Sequence, residues 1–221
     1  MEVVILVPVK EQGKAKARMA PLLTVEERAQ IAWAMFEDVA RALLALASPA
    51  QVVLVTNSGP AADTARRMSW RVLWETEQIT ESASVDAASA LLAQEGVEAV
   101  LRVPADLPLL RPEDIREIMK PPPEPNSATL VPSWDRLGTN AVLRAPPLLF
   151  PSRFGHNSLV LHIQEALRAH AFLRIAENSR IALDVDDASD IQRFLEVKSD
   201  TNTARLLRAF EIEERLGRHV L

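Results

Sequence analysis

The sequence predicts an α/β protein with a mostly parallel central sheet and helices on both faces. Three observations carry that expectation. First, the runs VVILVPV (3–9), QVVLVTN (51–57) and AVLRVPA (99–105) are apolar without alternation, as strands covered on both faces should be. Second, the segments between them have helical spacing. Third, the order strand, helix, strand, helix repeats along the chain, which calls for crossover connections and a parallel sheet. With 221 residues, the chain is long enough to bury a substantial core in one domain.

The elements follow in order. After the first strand, Thr24 opens a helix, and Glu27 three residues on completes a capping box. Ile31, Met35, Val39, Leu43 and Leu46 form that helix's apolar stripe. SGP at 58–60 ends the second strand and precedes a short helix over 61–69. WRVLW (70–74) is the third strand, and the alanine-rich stretch 83–95 is helical. Pro112 suits the first turn of a helix over 112–119. PPPEP (121–125) is a rigid loop, too short for a linker between domains. SATLVPSW (127–134) and TNAVLRA (139–145) are strands, 159–171 a helix, FLRIAE (172–177) a strand and IALDVDD (181–187) a strand ending in acids. Helices over 188–197 and 203–218 finish the chain. Residues 1–198 read as one domain. Residues 199–221 read as a helical extension whose stripe (Leu206, Leu207, Phe210, Ile212, Leu216) packs on that domain or on a second subunit of a homodimer.

Composition excludes several classes. The formal net charge is −5, which argues against a protein that coats nucleic acid. There is no cysteine, so disulfides, thiolate metal sites and cysteine nucleophiles are out, and a reducing cytoplasm fits. MEVVILVPVK lacks the basic start and length of an export signal, and no apolar run is long enough to span a bilayer.

In such sheets, ligands bind beyond the carboxyl ends of the strands. Two features stand there. PADLPLL (104–110) ends a buried strand with Asp106, a carboxylate that needs a metal ion, a salt bridge or a capped turn to offset desolvation. The first loop, KEQGKAKARM (10–19), carries Lys10, Lys14, Lys16 and Arg18. It is neither a dinucleotide fingerprint nor a P-loop. Basic residues facing an acidic strand end suit a metal-bridged polyphosphate, and the alternative is a solvated surface loop.

Taken together, VPVK (7–10), KARM (16–19), PADLPLL (104–110), GTNAV (138–142), FGHNSLVLH (154–162) and LDVDDASDI (183–191) resemble one family over about residues 3–197. It is the guanylyltransferases of deazaflavin coenzyme F-420 biosynthesis, which act on 2-phospho-L-lactate or phosphoenolpyruvate. The resemblance implies a Rossmann-like nucleotidyltransferase fold of the glycosyltransferase-A type. It also implies transfer of GMP from GTP to a phosphorylated three-carbon acid, with pyrophosphate released and Mg2+ or Mn2+ as cofactor.

By the same resemblance, Asp106 and Asp186 hold the metal. Asp184, two residues before Asp186 in an extended run, faces the same way. Asp187 is the better cap for the next helix. Lys16 and Arg18 meet the triphosphate and, with Asp106, are the catalytic candidates. Pro8, Val9, Lys10, Lys16 and Pro104 line the nucleotide site. Thr139, Asn140, Gly155 and Ser158 hold phosphate and carboxylate oxygens of the acceptor, through neutral donors, a glycine that admits close approach, and a helix start. His162 receives no chemical role.

One segment departs from the family pattern. Where members carry glycine–leucine–asparagine, this chain has ESASVDAA (81–88). Asp86 replaces the asparagine and is placed to accept from guanine, with Ser84 beside it. The other reading is that Ser82 or Ser84 only caps the helix. The departure leaves base preference and acceptor open, with 3-phosphoglycerate among the acids. A nucleotidyltransferase for a sugar phosphate or molybdopterin is the second reading, although those carry a glycine-rich first loop. An inactive nucleotide-binding relative is the third, and retention of Asp106, Asp186, Lys16 and Arg18 speaks against it.

Overall fold

A computed structural model describes residues 2–10, 16–46, 48, 51–77, 80–120 and 124–219. Lys14 and the first three residues of PPPEP lie outside them. Seven strands form one sheet. They are β1 (Val3–Val9), β2 (Val52–Thr56), β3 (Arg71–Trp74), β4 (Ala99–Arg102), β5 (Ser127–Pro132), β6 (Thr139–Ala145) and β7 (Phe172–Ile175), in the order β3-β2-β1-β4-β6-β5-β7. β6 runs antiparallel to β4 and β5, and the other pairings are parallel. The helices are α1 (Val25–Leu44), α2 (Gly59–Arg67), α3 (Glu81–Gln94), α4 (Pro112–Ile118), α5 (Ser158–Arg168), α6 (Ala188–Glu196), α7 (Asn202–Ala209) and α8 (Ile212–His219). Among the described residues, no helix is long and apolar enough to cross a membrane.

Strand alternation divides the core. Ile5, Val7 and Val9 of β1 pack with Phe36, Val39 and Leu43 of α1, and with α2 and α4. Val4 and Leu6 point the other way, to Val85, Ala88 and Leu92 of α3. Beyond β6, α5 covers Ala128, Leu130 and Val142. The first helix begins as its capping box dictates: Thr24 accepts from the Glu27 amide, and Glu27 accepts from the Thr24 amide.

Two elements differ from the sequence expectation. Residues 181–187, expected as a strand, join no strand of the sheet. They run across the carboxyl ends of the sheet, bonded to the Trp134 amide through Ala182 and to the Asp106 carbonyl through Val185. Alternation survives without a ladder, so Leu183 and Val185 are buried while Asp184 and Asp186 turn to the other side. The single helix expected over 203–218 is broken at Phe210–Glu211, where Glu211 has φ 54°. The break folds α8 back so that Leu207 and Ile212 share one apolar cluster with Ile31, Met35 and Phe194.

Candidate active site

At the carboxyl ends of β1 and β4 and the amino end of the antiparallel β6 lies a cleft with two adjoining lobes, about 620 Å³ and 320 Å³. Glu81, Arg102, Pro104, Asp106 and Asp186 line both. The smaller lobe adds Pro8, Val9, Lys10 and Lys16. The larger adds Arg18, Thr139, Asn140, Gly155, Ser158 and Asp184. Pro8, Val9, Lys10 and Lys16 of the expected nucleotide residues thus line one lobe and the expected acceptor residues the other, with Asp106, Asp186 and Pro104 on both, while Arg18, expected at the triphosphate, lines the acceptor-side lobe.

The charged groups gather at the junction of the lobes. One oxygen from each of Asp106, Asp184 and Asp186 lies within 4.8 Å of the others. Lys16 reaches in from the first loop with φ 55°, a left-handed conformation uncommon for a residue with a side chain. Its Nζ donates to Asp106 Oδ2 at 2.7 Å and to Asp186 Oδ1. Arg18 takes the other oxygen of Asp186. Burial works against the lysine's charge, but Asp106 and then Asp186 outweigh it and hold the ammonium's pKa above its ordinary value. Burial likewise opposes ionisation of Asp186, and Lys16 followed by Arg18 brings its pKa below the usual range. Asp184 goes the other way: burial first, then the charges of Asp106 and Asp186, lift it to about 7.

These residues fit a divalent cation. The cluster is all oxygen, the donor chemistry of Mg2+ and Mn2+. Three carboxylates face two cations, Lys16 and Arg18, leaving one negative charge unbalanced when all are ionised. Asp106 Oδ1 is buried with no hydrogen-bond partner among the described residues, the orphan that a ligating oxygen would be.

Supporting contacts set this geometry. Asn140 donates through Nδ2 to the carbonyls of Ile181 and Ala182 and to Asp184 Oδ1, at 2.8–3.0 Å. Its amide therefore holds the acidic segment in place and is not a free donor for a ligand, as the sequence had suggested. Asp187 caps α6, accepting from the Ser189 and Asp190 amides, and Asp190 accepts from the amides of Asp186 and Asp187. Ser158 is buried at the start of α5, but its amide already bonds the Gly155 carbonyl, and the Leu159 amide bonds Leu137. The helix start thus offers fewer open amides than expected. Gly155 has φ 120°, where only glycine is comfortable.

Ser84 and Asp86 are not brought to the cleft. Asp86 accepts from the Ser152 amide and hydroxyl at 2.6–3.2 Å and faces the Arg144 guanidinium at 3.2 Å. A carboxylate so committed has no call for a nucleobase. Ser84 donates to the Thr80 carbonyl. Thr80, rather than Ser82 or Ser84, caps α3, and Ser82 instead accepts from the Phe154 amide.

The sequence reading missed Arg102 and Glu81. Arg102 donates to the Asn140 carbonyl at 3.0 Å, pairs with Glu81 and stacks 4.2 Å from the Phe154 ring centroid. The available signal was a charge inside an otherwise apolar strand, AVLRV. A buried arginine needs a partner, and the partner here begins α3.

An open α/β sheet with a basic segment, a carboxylate trio and two adjoining lobes at its strand ends has the layout of a metal-assisted nucleotidyltransferase. A structure described as a putative nucleotide-diphospho-sugar transferase from Desulfovibrio desulfuricans G20 superposes with a TM-score of 0.77 at 16% identity, covering 99% of this chain and 98% of that one. Residues 3–219 match the family described as "Guanylyl transferase CofC like", and the chain belongs to it. A phosphoenolpyruvate guanylyltransferase of Rubrobacter xylanophilus is 33% identical over 193 residues, 87% of this chain and 93% of the relative. A 3-phospho-D-glycerate guanylyltransferase of Colwellia psychrerythraea is 29% identical over 194 residues, 85% and 89% of the two chains.

Proposed function

We propose that this guanylyltransferase moves GMP from GTP to the phosphate of a small phosphorylated carboxylic acid, with Mg2+ or Mn2+ at Asp106, Asp184 and Asp186. Phosphoenolpyruvate is the first candidate acceptor, ahead of 3-phosphoglycerate and 2-phospho-L-lactate, and the product enters deazaflavin coenzyme F-420 biosynthesis. The observation that carries this is the carboxylate trio at the junction of the two lobes: Asp106 and Asp186 line both, Asp184 joins them from the larger lobe and Lys16 from the smaller. GTP occupies the lobe of Pro8, Val9 and Lys10, and the acid the lobe of Thr139, Gly155 and Ser158. Relatives named for phosphoenolpyruvate and 3-phosphoglycerate support that order of acids.

In the reaction, an acceptor phosphate oxygen bonds to the α-phosphorus of GTP, and the bond from that phosphorus to the bridging oxygen breaks, releasing pyrophosphate. The acceptor phosphate is already ionised, so no side chain has to remove a proton. A divalent cation, when bound, supplies charge neutralisation for the phosphates. Lys16 adds positive charge from the GTP lobe and Arg18 from the acceptor side of the shared carboxylate Asp186, and the lobes hold the reactants side by side. Little covalent chemistry is asked of the protein.

Pyrophosphate release measured with GTP and each acid in turn tests the reading. One of the acids should support turnover that chelation by EDTA abolishes and Mg2+ restores. Asp106→Asn, which removes charge with little change in volume, should keep the fold and lose at least about a hundredfold in kcat. Release that depends on a sugar phosphate instead, or an active Asp106→Asn enzyme, would overturn the assignment.

A further inference from the structure

His162 lies one turn inside α5 and is fully buried. Phe154 meets its ring edge-on, with centroids 4.9 Å apart, and Phe150 lies at 6.3 Å. Both ring nitrogens are engaged. Nε2 accepts from the backbone amide of Arg153 at 2.8 Å, and Nδ1 is 3.0 Å from Thr139 Oγ1. An amide N–H can only donate, so Nε2 is the bare nitrogen. Burial, then the charges of Arg144 and Arg102, lower the imidazole's pKa to about 3, so the ring is neutral. Its single proton therefore sits on Nδ1 and is donated to Thr139. The threonine hydroxyl accepts that bond and keeps its own proton for another partner. Thr139 lines the larger lobe.

We infer that His162 is a positioning residue for the acceptor: one imidazole joins Thr139 of the GTN segment to the Arg153 amide that leads into FGHNS, and leaves the Thr139 hydroxyl a donor available to an anionic oxygen. This rests on the acceptor lobe assigned above. The arrangement is built from several sides. The loop that carries Arg153 is also tied to α3, through Ser152 to Asp86 and through the Phe154 amide to Ser82. His162 is the tie that reaches the threonine.

Substitutions can separate the two halves of the bridge. An asparagine amide overlays the Nδ1 end of the ring and a glutamine amide the Nε2 end. His162→Phe keeps the ring packing and removes both bonds. It should raise KM for the acid about tenfold while KM for GTP changes less than about twofold. His162→Asn should recover most of the loss and His162→Gln little of it. In a Thr139→Val background, His162→Phe should add no further loss of acceptor affinity. Nitrogen-15 NMR of the wild-type imidazole at neutral pH should show the Nδ1–H tautomer. The inference is overturned by the Nε2–H tautomer, by a His162→Phe enzyme with unchanged acceptor KM, or by equal recovery in the Asn and Gln variants. It is also overturned if melting temperature and KM for GTP move in step with acceptor use, which marks a structural role alone. A wild type that uses none of the three acids overturns the acceptor reading and this inference with it. A wild type active on one of them but indifferent to His162→Phe overturns this inference alone.

Discussion

Asp184 shows how neighbours divide one kind of side chain into different roles. Asp106 and Asp186 share the Lys16 ammonium, whereas Asp184 receives a neutral amide proton from Asn140. Burial and the two adjacent carboxylates then raise its pKa to about 7. An acid with a raised pKa is protonated below that value, and a proton there competes with a metal ion. Magnesium affinity should therefore fall as pH drops from 8 to 6, measured by titration calorimetry. Asp184→Asn should bind magnesium more weakly throughout and flatten that dependence, and a wild type with no pH dependence over this range would contradict the argument. Gly155 makes a second residue-scale case. An added Cβ would meet no protein atom within 4 Å, so φ 120° is what strains a side chain here. Gly155→Val should strain the loop by about 1–3 kcal/mol and raise KM for the acid more than KM for GTP.

At the scale of elements, buried acids fasten segments that the sheet does not hold. Asp114, at the start of α4, receives Arg180 Nε at 2.9 Å, Asn178 Nδ2 at 2.8 Å and the Arg111 amide at 2.8 Å. The contacts to Asn178 and Arg180 anchor the stretch that leads into Asp184 and Asp186. Asp38 does the same for the C-terminal helices. It accepts from the amides of Asn202 and Thr203 and from the Thr203 hydroxyl at 2.8–2.9 Å, so a side chain of α1 serves the free amides at the start of α7. Asp38→Ala leaves those donors buried without a partner and should lower stability by about 2 kcal/mol in urea unfolding. With α7 and α8 contributing Ala204, Leu207 and Ile212 to a cluster with Ile31 and Met35, deletion of residues 200–221 should destabilise the whole chain. A truncated chain with an unchanged urea midpoint would show that the extension folds independently.

Across the whole molecule, the topology sets two lobes against one charged wall. Arg102 stands on that wall and touches both sides through Glu81, the Asn140 carbonyl and Phe154. Arg102→Met should therefore raise KM for GTP and for the acid together, each about tenfold, unlike substitutions at Thr139. Initial-rate kinetics with both substrates varied would check this. An effect confined to one substrate would place Arg102 in one lobe only.

The sequence by itself determined the alternation of elements, the capping box and apolar stripe of α1, and the acid that follows β4. Each of these is written in residues a few positions apart, where side-chain period and backbone capping act directly. Asp106 was legible because a carboxylate at the end of a buried strand is conspicuous anywhere. Only the tertiary structure decided which charges meet. Lys16 reaches Asp106 across 90 residues of chain and Asp186 across 170, and no local pattern encodes such a pairing. The same holds for Asp86, which suited a nucleobase by its place in the sequence but lies against Arg144 and Ser152 once α3 packs on the sheet. His162 read as an ordinary helical histidine until the fold set Thr139 against one of its nitrogens and Arg153 against the other. Polar groups taken out of water must find partners, and which partners they find depends on how strands and helices stack rather than on which residues are neighbours in the chain.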